Sequence, residues 1–294
     1  MAATVSEQLS GAMAEVTAAV APSVVGVGAG GSGVVVGSGR VLTNAHNLRG
    51  SDVVVTFPDG RRAEGSAAGV DADGDLAVVA VDTGAAPALA LAGGSPRMGE
   101  AVLALANPGG RGVRVSAGIV SALDVAFRGP GGRRLRGAIE HSAPLARGSS
   151  GGPLVDLEGR VLGIDTHRAG EGFYLAVAAG AELAARVEAL AEGQAPRRPR
   201  LGVALAPPNV ARRLRRSVGL PALDGLLVHA VEDGGPAGRS GIEQGDLIVA
   251  VAGTPVTTVD ELADALERAG AGAEVAVAVV RGAEQRTVEV RLDA

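Results

Sequence analysis

Three residues with the chemistry of a nucleophilic triad follow one another along the chain as His46, Asp75 and Ser150. A serine that attacks a carbonyl carbon needs a base to take its proton and a carboxylate to orient that base. Of the four histidines, His46 is the best base because it directly follows an apolar strand pattern in VLTNAHNL. A strand end there would present the imidazole to a cleft. The three residues predict acyl-transfer chemistry.

The predicted nucleophile, Ser150, lies in the glycine-rich segment GSSGGPL. Flanking glycines let the backbone bend tightly, so that N–H groups can converge on the oxyanion that forms during attack. We expect the backbone of Gly148, Ser149 and Ser150 to build this oxyanion hole, with the N–H groups of Gly148 and Ser150 as donors. Each such donor contributes about 2.7–4 kcal/mol of transition-state stabilisation in comparable sites.

The predicted orienting carboxylate is Asp75, which directly precedes the buried-strand pattern LAVVAV. A carboxylate in partly dry surroundings can select one histidine tautomer and stabilise the imidazolium. By itself, an Asp at the start of a strand is more often a turn or cap residue. The interpretation of Asp75 as an orienting residue therefore depends on the presence of His46 and Ser150.

The order His, Asp, Ser matches the chymotrypsin arrangement and neither subtilisin nor the α/β-hydrolases. GSSGG also satisfies the nucleophile-elbow pattern, but an elbow needs a helix after the serine, and PLVDLEGRVLGIDT predicts strand, turn, strand. The other histidines are interpreted as packed or solvated side chains: His141, His229 and His167, the last in a surface loop. This leaves a chymotrypsin-like site as the hypothesis.

Many short strands must position these residues. From Val24 to about Val177, runs of Val, Leu and Ile alternate with Gly, Asp-Gly and Pro turns, which is typical of an antiparallel barrel or sandwich. Residues 181–192 predict a helix that closes the first domain. An N-terminal amphipathic helix is predicted by apolar residues at helical spacing, namely Leu9, Met13, Val16 and Val20.

Length and composition favour two domains. The 294 residues suffice for two cores, which we assign to residues 1–192 and 200–294, with the Pro- and Arg-rich segment 193–199 as linker. The chain contains no cysteine, which excludes disulfides and thiolate chemistry. A net charge of −5 and 1% aromatic residues argue against a nucleic-acid binder.

Nothing in the sequence has the pattern of an export signal or a membrane anchor. No apolar run reaches the 18 to 20 residues, roughly, that span a bilayer, and the N-terminus lacks a basic region followed by an apolar stretch. As the chain stands we expect a cytoplasmic protein. A periplasmic or other extracytoplasmic location is the alternative if a leader was removed.

With these motifs in order, the chain resembles the HtrA (DegP/DegS-like) family of serine proteases. The matching segments are VAPSVVGV, VLTNAH, DLAVV, ANPGG, SAGIVSAL, GSSGGPLVDLEGRVLGI and FYLAVAA. The resemblance implies a mostly β, chymotrypsin-like double β-barrel with the triad between the barrels. It also implies hydrolysis of peptide bonds in unfolded or damaged proteins through an acyl-enzyme, without a metal or nucleotide cofactor.

The second domain resembles a bacterial PDZ domain, on the segments RLGV and GPAGRSGIEQGDLIVAVAGTPVTTVDELADAL. Thr258 and Glu261 form a capping box that predicts a helix there. The resemblance implies that a C-terminal or hydrophobic peptide tail adds as a strand beside this helix and regulates or directs the protease. Its carboxylate would be held by the backbone of a loop formed by Leu201, Gly202 and Val203.

Two departures from the family leave an alternative open. Before Ser150 the family commonly has Asn-Pro-Gly-Asn, whereas this chain has Ala146-Arg147-Gly148-Ser149, so the oxyanion hole could be in a resting form. The alternative function is a proteolytically weak or inactive, chaperone-like scaffold that binds peptides. Family trimers are joined by aromatic residues near the N-terminus, but the first aromatic here is Phe57, so a homotrimer is only an expectation.

An arginine cluster supports one further hypothesis. Four arginines on a predicted helix could mark a phosphate-rich partner or an anionic membrane. The other interpretation is a solvated helix face balanced by nearby acidic residues, which we favour. The four residues are Arg212, Arg213, Arg215 and Arg216.

Overall fold

The computed structural model describes residues 4–129, 134–170, 172–194, 199–206, 208–217, 219 and 223–293. The chain forms two compact units, which divide between Pro196 and Arg197. This division falls within the predicted linker, of which residues 195–198 lie outside the described part of the chain. Each unit has its own hydrophobic core.

Twelve strands of the first unit form two closed antiparallel barrels. The strands of the first barrel pair in the order β1-β2-β3-β6-β5-β4, and they are β1 (Val24–Val27), β2 (Gly31–Gly37), β3 (Arg40–Thr43), β4 (Asp52–Thr56), β5 (Arg62–Asp71) and β6 (Leu76–Val81). Closure removes the exposed strand edges that an open sheet would leave.

The second barrel has the order β10-β11-β12-β9-β8-β7. Its strands are β7 (Ala101–Ala106), β8 (Arg114–Arg128), β9 (Arg134–His141), β10 (Pro153–Val155), β11 (Val161–Arg168) and β12 (Tyr174–Ala178). A strand, not a helix, therefore follows Ser150, which excludes the nucleophile-elbow interpretation. The prediction of an antiparallel barrel is confirmed, and there are two of them.

Aliphatic side chains build the core of this unit, as the composition predicts. One cluster of Val, Leu and Ile residues combines strands of both barrels, and two smaller clusters fill the individual barrels. Of the four aromatic residues, only Phe57 and Tyr174 are buried. Burying one Val or Leu contributes about 1.5–3 kcal/mol, so many small side chains replace a few large rings.

Two helices cover this core. Helix α1 (Val5–Val20) begins at a capping box formed by Thr4 and Glu7, and it buries Val16 and Val20. Helix α2 (Ala181–Ala191) packs against the same cluster through its apolar face. Both predicted helices are present. None of the helices in the described part of the chain is long and apolar enough to cross a membrane.

The second unit is a small α+β module with a sheet in the order β13-β14-β15-β17-β18, to which β16 is added beside β15. Thr258 caps α5 with Glu261 in the predicted capping box. The elements are β13 (Val203–Leu205), α3 (Pro208–Ser217), β14 (Leu226–Val231), α4 (Pro236–Arg239), β15 (Leu247–Val251), β16 (Thr254–Pro255), α5 (Val259–Ala269), β17 (Glu274–Arg281) and β18 (Glu284–Arg291).

Candidate active site

His46 lies in a short 3-10 turn, Ala45–Asn47, that directly follows β3. Asn44, the residue before this turn, is fully buried. It holds the turn in place because its Nδ2 donates to the Asp75 carbonyl oxygen at 2.8 Å. The His46 side chain keeps 32% of its surface exposed, whereas Asp75 is fully buried. The imidazole therefore lies at the surface with one edge held by the protein interior.

Asp75 receives a complete set of donors. Its two carboxylate oxygens lie 2.9 and 2.8 Å from Nδ1 of His46, and Oδ1 also accepts from the His46 backbone N–H at 3.1 Å. Thr166 Oγ1 donates to Oδ2 at 2.9 Å. A carboxylate at Nδ1 favours the tautomer that carries its proton there, which leaves Nε2 as the basic nitrogen.

The backbone at Asp75 is unusual, since its φ of 52° lies in the left-handed region. Non-glycine residues in this region are uncommon, and they concentrate at functional sites where the surrounding structure holds them. Here the Asn44 side chain binds the Asp75 carbonyl group directly. This conformation turns the carboxylate towards His46 at the start of β6.

Thr166, on β11 of the second barrel, links the carboxylate to the predicted nucleophile. Its Oγ1 donates to Asp75, and its carbonyl oxygen accepts from Ser150 Oγ at 2.8 Å. His46 and Asp75 belong to the first barrel and Ser150 to the second, so the three predicted residues meet at the junction of the barrels. The Ser150 hydroxyl donates to Thr166 here and not to His46.

Close backbone contacts hold the segment before Ser150. Gly148 has φ of 86°, and a Cβ there would overlap the Gly30 carbonyl oxygen. Ser32 binds the segment twice, since its Oγ donates to the Gly148 carbonyl at 2.8 Å and its N–H to the Ser150 carbonyl at 3.1 Å. Asn47 Nδ2 adds a second bond to that Ser150 carbonyl, at 2.9 Å. Glycine at position 148 is therefore required.

The same segment leaves two N–H groups available. Within the described residues, the N–H groups of Gly148 and Ser150 donate no hydrogen bond. The N–H of Ser149 donates to the Ala146 carbonyl at 3.2 Å, so Ser149 is not a donor to an oxyanion, which corrects its inclusion in the predicted oxyanion hole. The donors that the sequence analysis named, at Gly148 and Ser150, are both free to bind a ligand oxygen.

The interpretation of His167 as a surface-loop residue is wrong. It lies on β11, where its ring stacks on His46 with centroids 5.8 Å apart and an interplanar angle of 16°. Phe127 contacts its ring edge-on at 5.6 Å. Burial lowers the pKa of His167 below its ordinary value, an effect that Asp75 opposes and His46 increases. The chain thus brings a second imidazole into the site.

Thr166 and Asn44 are two further residues of the site that no sequence motif indicated. Both are polar residues directly beside buried apolar strand patterns, as is Asp75, and both are buried. That position beside a buried run was the only signal for them. It marks a polar residue that must find a partner, but it does not identify the partner.

A second His–Asp pair lies beneath the nucleophile segment. Nε2 of His141, at the end of β9, is 3.0 Å from Oδ1 of Asp165, and both side chains are fully buried. Burial raises the pKa of Asp165, and His141 opposes this effect. The Asp165 backbone bonds to Gly151 and Gly152 at 2.8 and 2.9 Å. This pair therefore lies directly under the segment that carries Ser150.

In the second unit, the predicted carboxylate loop exposes backbone donors. Gly202 has φ of 71°, and its carbonyl accepts from Glu232 N–H at 2.9 Å. The buried Leu201 accepts from Ala237 N–H at 2.8 Å. In the described part of the chain, the N–H groups of Leu201 and Gly202 donate no hydrogen bond. Val203 begins β13, the outermost strand of the sheet.

The remaining sequence hypotheses receive little structural support. Arg212 is exposed and lies 4.0 Å from Asp224, while the side chain of Arg215 lies outside the described part of the structure. This agrees with a solvated helix face. Among the described residues, no group of three or more histidine or acidic side chains is arranged to hold a metal ion.

Comparison with protein families defines the class of protein. Residues 31–164 match the trypsin-like peptidase domain, and residues 199–292 match the PDZ domain. The predicted fold class is confirmed: a mostly β, trypsin-like double barrel followed by a PDZ domain. The two barrels are thus those of the trypsin-like peptidase class.

Known relatives narrow this class to one family. DegS, a serine endoprotease of Escherichia coli, is 30% identical over 276 residues, which cover 89% of this chain and 76% of DegS. The structure of the HtrA-type protease AlgW with decapeptide covers 95% of this chain and 98% of AlgW, with 25% identity and a TM-score of 0.73. The chain belongs to the HtrA family of serine-type endopeptidases, which confirms the resemblance.

The similarity extends over most of this chain but not over all of each relative. HhoB of Synechocystis sp. is 35% identical over 277 residues, which cover 89% of this chain. The chain spans 65% of the length of HhoB.

Proposed function

We propose that this protein hydrolyses peptide bonds in unfolded or damaged proteins, with Ser150 as nucleophile, His46 as general base and Asp75 as the orienting carboxylate. The observation that carries the proposal is the double role of Thr166. Its side chain binds Asp75 and its carbonyl binds the Ser150 hydroxyl, so residues 75 positions apart in sequence converge on one point.

The reaction begins when the Ser150 hydroxyl leaves the Thr166 carbonyl and turns to Nε2 of His46. Oγ then attacks the substrate carbonyl carbon while Nε2 takes its proton. The imidazolium gives that proton to the leaving amine, the C–N bond breaks, and an acyl-enzyme remains on Ser150. A water molecule, deprotonated by His46, hydrolyses the ester and restores the enzyme. Asp75 stays ionised and stabilises the imidazolium.

Two backbone N–H groups are available to stabilise the oxyanion. We assign this role to Gly148 and Ser150, because neither N–H donates elsewhere within the described residues. The left-handed backbone of Gly148 is anchored by the Ser32 hydroxyl. Losing one such donor costs about 2.7–4 kcal/mol of transition-state stabilisation.

The PDZ unit is proposed to bind the C-terminal or hydrophobic tail of a protein and so to direct or regulate the protease. The support comes from the free N–H groups of Leu201 and Gly202, which can hold a carboxylate, and from β13, whose outer edge can accept another strand. We place the protease domain at residues 1–192 and the PDZ domain at 200–294. A homotrimer stays a prediction.

Cleavage of casein by the wild type and by Ser150→Ala, with and without a hydrophobic C-terminal peptide, tests the proposal. We expect cleavage by the wild type alone, with stimulation by the peptide, and labelling of the wild type by a fluorophosphonate. Equal inactivity of both proteins, with no labelling and with peptide still bound, would establish the scaffold function instead. The Ser150 hydroxyl bound to Thr166 is the observation that keeps this second function under test.

A further inference from the structure

We infer that His167 is a positioning residue of the active site, which holds the imidazole of His46 in place and must be neutral for the peptidase to work. The inference rests on the proposed function, because it assigns His167 a role in the same reaction. The role differs from those of the triad because His167 acts through the base, on which its ring stacks. No motif in the sequence indicated this role.

The geometry places three rings in a row. His167 lies between His46, to which its ring is nearly parallel but offset, and Phe127, which it meets edge-on. The His46 imidazole thus has a second ring beside it, while its Nδ1 edge is held by Asp75. A rotation of the His46 ring would break this stack and the bond to Asp75. The stack thus limits the orientations available to the general base.

Charge makes this contact dependent on protonation. During attack His46 becomes an imidazolium, and Asp75 acts on both imidazoles. If His167 were also protonated, two positive charges about 5.8 Å apart would share this carboxylate. Protonated His167 therefore opposes the transition state.

The lowered pKa of His167 is consistent with a ring that stays neutral at neutral pH. Activity then requires two neutral imidazoles, one to accept the serine proton and one to avoid repelling the resulting cation. On the acid side, the logarithm of kcat/KM should fall with a limiting slope of about 2 per pH unit, where a single essential base gives about 1.

Two substitutions separate packing from charge. His167→Phe keeps an aromatic ring in the stack and removes the titrating group, so we expect near wild-type kcat at pH 8 and an acid limb with a slope of about 1. His167→Ala removes both, so we expect kcat to fall about 10- to 100-fold at every pH because the base is less well held, with little change in KM. His229→Phe, at an exposed histidine of the other unit, is the matched control and should behave as wild type.

Each outcome is informative. A slope of about 2 retained in His167→Phe would overturn the charge role, and unchanged kcat in His167→Ala would overturn the positioning role. Fluorophosphonate labelling at pH 8 and thermal unfolding of every variant detect loss of folding. If the wild type itself neither labels nor cleaves, the proposed function fails. If it labels and cleaves but the variants match it, only this inference fails.

Discussion

The protease unit contains two His–Asp pairs that differ in surroundings far more than in distance. His46 and Asp75 approach to 2.8 Å, and His141 and Asp165 to 3.0 Å. The first imidazole is one-third exposed, while the second is completely buried. An imidazole needs a free nitrogen that a substrate proton can reach, so only the first pair can act as a base.

The carboxylates differ as well. Asp75 accepts from His46 twice and from Thr166, whereas no contact other than His141 is described for the carboxylate of Asp165. Burial raises the pKa of Asp165, because few donors replace the lost water. Residue type alone therefore does not make a catalytic pair. The hydrogen-bond donors around the carboxylate and the access of solvent to the imidazole decide whether a His–Asp pair can act as a base.

The largest difference should be seen on replacing each aspartate by asparagine. Asp75→Asn should lower kcat about 10⁴-fold, because the amide favours the wrong tautomer of His46 and does not stabilise the imidazolium. Asp165→Asn should keep kcat within the same order of magnitude, since its backbone bonds to the glycines of the nucleophile segment remain. Steady-state kinetics with a peptide substrate measure both. A similar loss in the two variants would contradict the distinction between the pairs.

Substitutions in the buried His141–Asp165 pair should instead lower the free energy of unfolding. His141→Leu leaves the Asp165 carboxylate without a partner and should lower the free energy of unfolding by about 3–5 kcal/mol. The double variant His141→Leu/Asp165→Val should recover most of this loss, because two apolar groups need no hydrogen bonds. Urea denaturation measures both, and a double variant no more stable than the single one would show that packing outweighs charge.

The sign of the pH effect follows from the raised pKa of Asp165. A carboxyl whose pKa is higher in the folded state stabilises the fold below its unfolded value of about 3.9, and this contribution is lost as the pH rises through the folded value. The His141→Leu variant should therefore lose less stability in acid than at neutral pH. A loss independent of pH would exclude ionised Asp165 as its cause.

A smaller effect is expected at Thr166, which links the His46–Asp75 pair to the proposed nucleophile Ser150. Thr166→Val removes the hydroxyl that donates to Asp75 and should lower kcat/KM about 10- to 100-fold. This factor corresponds to the loss of one hydrogen bond to a charged group, which contributes roughly 1.5–3 kcal/mol. Thr166→Ser keeps the hydroxyl and is the matched control. If both variants lose activity equally, the methyl group of Thr166 and not its hydroxyl is what the site requires.

The smallest effect is expected at Asp246, a buried carboxylate of the PDZ unit whose partner is an arginine and not a histidine. Burial by itself would raise the pKa of Asp246. Its carboxylate accepts from Nε and Nη2 of Arg281 at 2.8 and 2.9 Å and from the Glu243 N–H, and these bonds lower the pKa overall. A lowered folded pKa gives stability at neutral pH that is lost as the pH falls through that value. Arg281→Met should cost about 1–2 kcal/mol at neutral pH and weaken this acid dependence.

Hydrogen exchange of the β15 and β17 amides in the full chain measures this effect, since it reports on the PDZ unit alone. Arg291→Met removes another arginine of the same sheet, at an exposed position that does not act on Asp246, and serves as the control. An identical pH dependence of exchange in the wild type and in Arg281→Met would contradict the assignment of Arg281 as the stabilising partner.

Much of the fold and of the predicted triad could be predicted because its signals are local. His46 and Asp75 each adjoin an apolar strand pattern, and Ser150 lies among glycines that only a tight backbone bend requires. The directions of the side chains on β11, and therefore their contacts, could not be predicted. The register of this strand shifts between Asp165 and His167, and such a bulge re-aims side chains that strict alternation would place wrongly.

The sequence by itself determined the strand and helix pattern, the division into two units, and the order of the three residues for which we propose acyl-transfer chemistry. Only the tertiary structure decided which polar groups meet: the Thr166 hydroxyl with Asp75, the Thr166 carbonyl with Ser150, Asp165 with His141, and His167 with His46. Local patterns arise from backbone geometry and burial within a few residues. Side-chain partners depend on barrel closure, which joins strands far apart in sequence.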